Sequence, residues 1–166
     1  MGGEGDTFPE KFLGKSGILK GLPALIKQGC FRHKAKNAEG RMQKKKILII
    51  DDEEDMCRLL KIHFENEGFH VDVASDEEGF SQKAFSLRPD LIILDIHLGA
   101  EKGPQIYRRL LSRGFDREVP VIFLTSLLEE GAQDPIKRGR IHALYRKPVD
   151  VKKLIEEIKT NIFALS

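Results

Sequence analysis

KKILIIDDEEDM, Lys45 to Met56, sets four consecutive apolar residues, Ile47–Ile50, against five consecutive acids, Asp51–Asp55. A short apolar run bounded by charge reads as a strand buried on both faces, the kind found inside parallel sheets. Such a strand gains nothing from ending in five carboxylates unless something cationic neutralises them. What sits at its end decides the reading of the rest of the chain.

Upstream of that stretch lies a different kind of polypeptide. Residues 1–46 carry eleven Lys/Arg against four Asp/Glu, a charge of +7, and residues 47–166 carry seventeen against twenty-two, a charge of −5. Residues 1–43 hold eight glycines and two prolines. Phe12 to Lys27 has a weak helical pattern, but Gly14, Gly17, Gly21 and Pro23 interrupt it. A segment for a membrane surface or an anionic partner is one reading. A basic, disordered extension over 1–43 is the preferred one, with Met42 as an alternative start and a folded domain over 44–166. Cys30 and Cys57 have neither disulfide nor metal-ligand spacing, and Cys57 reads as a reduced thiol in or beside the core. No run of eighteen apolar residues and no signal-peptide-like stretch occurs, so the chain reads as soluble and cytoplasmic, with no membrane insertion.

Downstream, strands and helices alternate. Met56, Leu59, Leu60, His63 and Phe64 follow a helical period, and Gly68 ends that helix. HVDVA (70–74) is a second strand, and Ser75 or Asp76 caps a helix carrying Phe80, Ala84 and Leu87 that Pro89 stops. Leu91–Leu94 is the third strand, and a helix runs from about Pro104 to Ser112. Val119–Leu124 is the fourth strand, a short polar helix covers roughly 127–138, and IHALYR (141–146) is the fifth strand. Val151, Leu154, Ile155, Ile158 and Ile162 mark the last helix. Five strand–helix units imply a doubly wound α/β fold, a parallel sheet covered on both faces.

Ligands of such sheets bind at the carboxyl ends of the strands. The residues that end the strands are Asp51 and Asp52, Asp95, Thr125 and Lys147, from strands one, three, four and five. Three carboxylates in one crevice do not all stay ionised without a cation. Oxygen-only ligands point to a hard ion, and Mg²⁺ is the common cellular choice. Mg²⁺, an ammonium and a hydroxyl around one carboxylate suit a transferring phosphoryl group, with Asp95 as the nucleophile that forms an acyl phosphate.

From about residue 45 to 164 the sequence resembles the receiver domain of bacterial response regulators. The resemblance rests on Asp51-Asp52 after ILII, Asp95 after LIIL, Gly103 eight residues later, Thr125 after VIFL, and Lys147-Pro148 before the last helix. The separations are 43 from Asp52 to Asp95, 30 to Thr125 and 22 to Lys147. It implies a flavodoxin-like fold with strand order 2-1-3-4-5, the order of the chemotaxis receiver that exemplifies this class. It implies that Asp95 accepts a phosphoryl group from a phosphohistidine on a sensor histidine kinase or a phosphotransfer protein. Asp51, Asp52, Asp95 and the backbone carbonyl of His97 would hold Mg²⁺. Lys147 would pair with the phosphoryl group across a cis Lys147-Pro148 bond. Thr125 would swing toward a phosphoryl oxygen and report phosphorylation to a downstream protein partner. The family often has proline four residues after the acceptor, where this chain has Gly99, which is expected to loosen the loop. Its switch aromatic usually lies three residues before the lysine, where this chain has Leu144 with Tyr145 beside it.

Plainer readings exist for each residue. The acids after Ile50 complement a helix N-terminus, which accounts for Glu53, Glu54 and Asp55 but not for two acids abutting the strand. His97 reads as a loop side chain, and His33, His63, His70 and His142 form no constellation. A haloacid-dehalogenase-type phosphohydrolase uses the same residue types but places a second Asp two residues after its nucleophile, where this chain has His97. An unphosphorylated receiver-like scaffold would not need the complete set. Direct DNA binding is not expected, because the basic part is short and has no helix-turn-helix pattern. The expected protein is a stand-alone response regulator that switches partner binding, not an enzyme with external turnover.

Overall fold

Ile47, Leu48, Ile49 and Ile50 have no solvent exposure. They form strand β1 (Lys46–Ile50), which lies between two others in the sheet of a computed structural model describing residues 43–126 and 141–163. Around it run α1 (Glu54–Asn66), β2 (His70–Ala74), α2 (Glu77–Leu87) and β3 (Leu91–Asp95). A two-residue pair, β4 (His97–Leu98) and β5 (Glu101–Lys102), precedes α3 (Gly103–Ser112). Then come β6 (Val121–Thr125), β7 (Ile141–Arg146) and α4 (Val151–Glu157), which continues into a π-helical turn, Ile158–Ile162.

The sheet order is β2-β1-β3-β6-β7 with every pair parallel, and β4–β5 is a separate antiparallel hairpin. Counting sheet strands alone this is 2-1-3-4-5, the flavodoxin-like order. Side chains alternate across a strand, and the core splits accordingly. Ile47, Ile49, Leu91, Ile93, Ile122, Leu124 and Tyr145 pack under α1 and α4 with Leu60, Phe64, Leu154 and Ile158. Leu48, Ile50, Ile92, Leu94, Val121, Phe123 and Leu144 pack under α2 and α3 with Phe80, Ala84, Ile106 and Leu110. Each fully buried aliphatic side chain contributes roughly 1.5–3 kcal/mol relative to its exposed state. Polar helices cannot replace these layers, so the register of β1 against β3, Ile47 to Leu91 through Ile50 to Leu94, is fixed by burial.

Asp76 caps α2 by accepting from the Gly79 N–H at 2.8 Å, and Asp150 caps α4 by accepting from the Lys153 N–H at 3.1 Å. Cys57 is a buried free thiol; burial, with the charge of Asp51 adding to it, pushes its pKa up to about 11. Among the described residues no helix is long and apolar enough to cross a membrane.

Three details depart from expectation. The fourth sheet strand begins at Val121 rather than Val119, because Val119 turns back to the Asp116 carbonyl at 3.4 Å and Pro120 has no N–H for the ladder. The last helix ends as a π turn. The loop after Asp95, expected to be loosened by Gly99, is folded into the β4–β5 hairpin with Gly99 at its turn, at φ +57°. Residues 1–42 of the extension expected over 1–43, and the helix expected at 127–138, lie outside the described residues.

Candidate functional site

Leaving β1, successive residues diverge. Asp51 is 1% exposed, whereas Asp52 stands in solvent. The Glu53 N–H donates to Asp51 Oδ1 at 2.9 Å, which begins the turn into α1. At the end of β3, Asp95 is 3% exposed, and the His97 N–H donates to its Oδ1 at 3.0 Å. The Gly99 N–H donates to Asp52 Oδ2 at 3.0 Å. One oxygen of each acid is therefore tied to a backbone amide. Ligand oxygens of Asp51, Asp52 and Asp95 lie within 4.8 Å of one another.

Lys147, just beyond β7, brings the positive charge. Its Nζ donates to Asp95 Oδ2 at 2.6 Å and lies 2.8 Å from Asp51 Oδ2. A third carboxylate, Glu53 Oε1, accepts from the same ammonium at 2.7 Å. The Lys147 N–H donates to the Thr125 carbonyl at 2.7 Å, and the Lys147–Pro148 bond is cis. Burial favours a neutral Lys147 amine, but its bonds to Asp51, Asp95 and Glu53 outweigh burial and raise its pKa above the ordinary 10.5. Burial raises Asp51 above the usual 3.8, and the charge of Asp95 adds to that, against the Lys147 and Glu53 donors. One ammonium therefore does not balance the negative charge at this end of the sheet.

Gly103 permits the close packing beneath the acid. A Cβ there would lie 2.0 Å from the Asp95 carbonyl oxygen, and the Gly103 N–H donates to the Ile96 carbonyl at 2.8 Å. Thr125, 1% exposed, ends β6, where Asp95 pairs with Leu124 and Thr125 with Arg146. Alternation along β6 puts Thr125 on the face of Phe123 and Leu144, the α3 side. Tyr145 belongs to the opposite layer, where its hydroxyl donates to Glu157 Oε2 on α4. Burial first, and then that carboxylate, hold the Tyr145 phenol well above its ordinary pKa of 10.

The structure thus gathers Asp51, Asp52, Asp95 and Lys147 and sets Thr125 at the neighbouring strand end; Leu144 and Tyr145 lie on opposite faces. Two participants were not read from sequence as part of the site. Glu53 reads in sequence as a helix-end acid, yet its side chain makes no cap bond and instead reaches Lys147. In sequence Gly99 reads only as a departure from the family's proline, and its N–H contact with Asp52 crosses 47 residues. No local pattern could reveal either one.

A family profile for the response regulator receiver domain matches residues 47–159. The chain is 38% identical over 86 residues to PhoP, the alkaline phosphatase synthesis transcriptional regulatory protein of Bacillus subtilis, covering 52% of this chain and 35% of PhoP. It is 29% identical over 116 residues to the polar-differentiation response regulator DivK of Brucella anthropi, covering 70% of this chain and 94% of DivK. It thus spans about a third of one relative and nearly all of the other. The response regulator TrrA of Thermotoga maritima, solved in complex with Mg²⁺–BeF, matches with a TM-score of 0.60 at 27% identity, covering 70% of this chain and 97% of TrrA. With its strand order, its strand-end acids and residues 47–159 all in agreement, the chain belongs to the response regulator receiver domain family of two-component signalling systems.

Proposed function

We propose that Asp95 is the phosphoacceptor of a partner-binding switch. The observation that carries this reading is the position of Asp95: 3% exposed, 2.6 Å from the Lys147 ammonium, and within 4.8 Å of two further carboxylates. An Asp95 carboxylate oxygen attacks phosphorus, an O–P bond forms, and the N–P bond of a donor phosphohistidine breaks. The electron pair stays on the imidazole nitrogen, which then takes up a proton. Lys147 holds the Asp95 oxygen before transfer and is placed to hold a phosphoryl oxygen afterwards.

The carboxylates of Asp51, Asp52 and Asp95 fit Mg²⁺: all are oxygen donors close to one another, and Asp51 is held above its usual pKa by burial and by the charge of Asp95; the His97 backbone carbonyl would add a further ligand, as the family resemblance implies. When bound, the ion would neutralise charge on the phosphoryl oxygens. Thr125 would donate its hydroxyl to the new dianion, so phosphorylation is felt on the Leu144 face. Tyr145, tied to Glu157 on the other face, would take no part. The donor would be a sensor histidine kinase or histidine phosphotransfer protein in the cytoplasm, the output a change in affinity for a protein partner, and the chemistry self-modification without external turnover.

Incubation with a small phosphoryl donor and Mg²⁺ should give one hydroxylamine-sensitive acyl phosphate, lost in Asp95→Asn. Stable label persisting in Asp95→Asn, or turnover of small phosphomonoesters by the wild type, would sink the reading. We further propose that the receiver unit is residues 44–166 and that 1–43 is a separate basic extension. A chain starting at Met42 should then melt within a few degrees of full length and phosphorylate normally; unfolding would put the boundary elsewhere.

A further inference from the structure

The three site acids are tethered differently. Glu53 and His97 hold Asp51 and Asp95 from two residues further along the chain, and burial confines both side chains. Asp52 is exposed, so packing does not fix its rotamer; the Gly99 N–H at 3.0 Å is what reaches it from a different segment. That bond depends on the backbone at residue 99. The residue must carry an N–H, which proline lacks, and must adopt φ +57°, which glycine and asparagine tolerate. Space is not the constraint, because a Cβ at Gly99 would meet nothing within 4 Å.

The turn that presents this N–H is itself held. In the hairpin Leu98 pairs with Glu101 and His97 with Lys102. The Glu101 carboxylate accepts from Arg109 on α3, and Arg109 also donates to Glu77 at the start of α2 at 2.6 and 2.7 Å. A chain of contacts therefore runs from two helices through the hairpin to one acid of the site.

We propose that the Gly99 amide is a positioning group for Asp52, and that this N–H, through the hairpin, sets the divalent-cation affinity of the acidic site. The inference rests on the phosphoacceptor reading above. Mg²⁺ demands near-octahedral oxygen geometry, so an exposed ligand that must first be ordered weakens binding. Loss of a hydrogen bond that orients a ligand costs roughly 10–100-fold in metal affinity, and the lower end fits an exposed carboxylate.

The test is calorimetric titration with MgCl₂ and no phosphoryl donor. Gly99→Pro should bind roughly tenfold more weakly than wild type. Gly99→Asn, which keeps the N–H and tolerates the turn, is the conservative rescue and should recover most of that loss. Because the φ of proline also conflicts with the turn, a second measurement uses the native turn. The Gly99 amide resonance in a ¹H–¹⁵N spectrum should shift upfield and exchange faster with solvent in Asp52→Ala. A Gly99 amide indifferent to Asp52→Ala, or a folded Gly99→Pro that binds Mg²⁺ as wild type does, overturns this inference and leaves the phosphoacceptor reading standing. A wild-type chain that binds no Mg²⁺ overturns both.

Discussion

Two lysine–aspartate clusters stand at opposite ends of the same sheet. At the amino end Lys45 meets Asp90 at 3.0 Å, with the two side chains 22% and 24% exposed. Asp90 spends its other oxygen on the Lys46 N–H at 2.9 Å, and the ammonium lies 5.5 Å from the centre of the Phe163 ring. One cation faces one anion in partial contact with water, a bracket that ties β1 to the start of β3. At the carboxyl end the Lys147 side chain is 7% exposed and meets the side chains of Asp51 and Asp95, themselves 0% and 4% exposed, as well as Glu53, with Asp52 in the same cluster. The residue types are the same, but ratio and burial differ. A neutral, half-wet pair needs nothing further. A group of four acids, two of them buried, that shares one ammonium stays short of positive charge, and that shortage is what the proposed ligand site rests on.

Removing each lysine separates the two kinds of cluster most strongly. Lys147→Met leaves two buried carboxylates without their cation and should cost roughly 3 kcal/mol of metal-free stability in urea unfolding at neutral pH. Added Mg²⁺ should return part of it, because binding to the folded state alone stabilises that state. Lys45→Met should cost about 1 kcal/mol or less. Equal losses would mean that the two ends are energetically alike and that the charge imbalance carries no information.

A smaller effect is expected from taking away the exposed acid. Asp52→Ala should leave metal-free stability within about 1 kcal/mol of wild type, in either direction, since it relieves repulsion but gives up the Gly99 bond. The same substitution should weaken Mg²⁺ binding and phosphorylation. A metal-free loss of several kcal/mol would instead make Asp52 a structural residue, like Asp90.

A third pair calibrates the scale. On the β2 edge Lys83 meets Asp72 at 2.8 Å, each side chain 38% exposed. Partial burial works to raise the Asp72 pKa, and the Lys83 bond, with the Val73 amide, outweighs it and holds the carboxyl below its ordinary 3.8. A depressed folded-state pKa contributes stability that is present above 3.8 and lost as pH falls through the lower folded value. Asp72→Asn should therefore remove a small part of the acid-limb slope, while at neutral pH it costs well under about 1 kcal/mol after solvent screening. Stability curves measured from neutral pH to strong acid check the sign.

The regular part of this architecture is legible in local pattern. The run Ile47–Ile50, the helical spacing of Leu60 and Phe64, and the stop at Gly68 each report an environment that repeats every two or every 3.6 residues. The hairpin after Asp95 is not legible in that way. His97 and Leu98 are too few to show a period, and the turn is held through Glu101 by Arg109 and Glu77, which lie outside it. The last helix shows both cases: at its start the cap of Asp150 is a local signal, and at its end the π turn at Ile158–Ile162 is not.

Sequence by itself determined the five sheet strands, the four helices among the described residues and the set of residues that end the strands, because periodicity, turn residues and strand-end charge are local properties. Only the tertiary structure decided how neighbours part company. Asp51 and Asp52 are adjacent in sequence, yet one is sealed against Lys147 and the other stands in water on the Gly99 amide. Leu144 and Tyr145 are adjacent as well, and the pleat sends them to opposite layers, with Tyr145 bound to Glu157. Lys147 reaches Glu53 across 94 residues. Which of two neighbouring side chains meets a given partner depends on the packing of segments far apart in the chain, and no local periodicity carries that information.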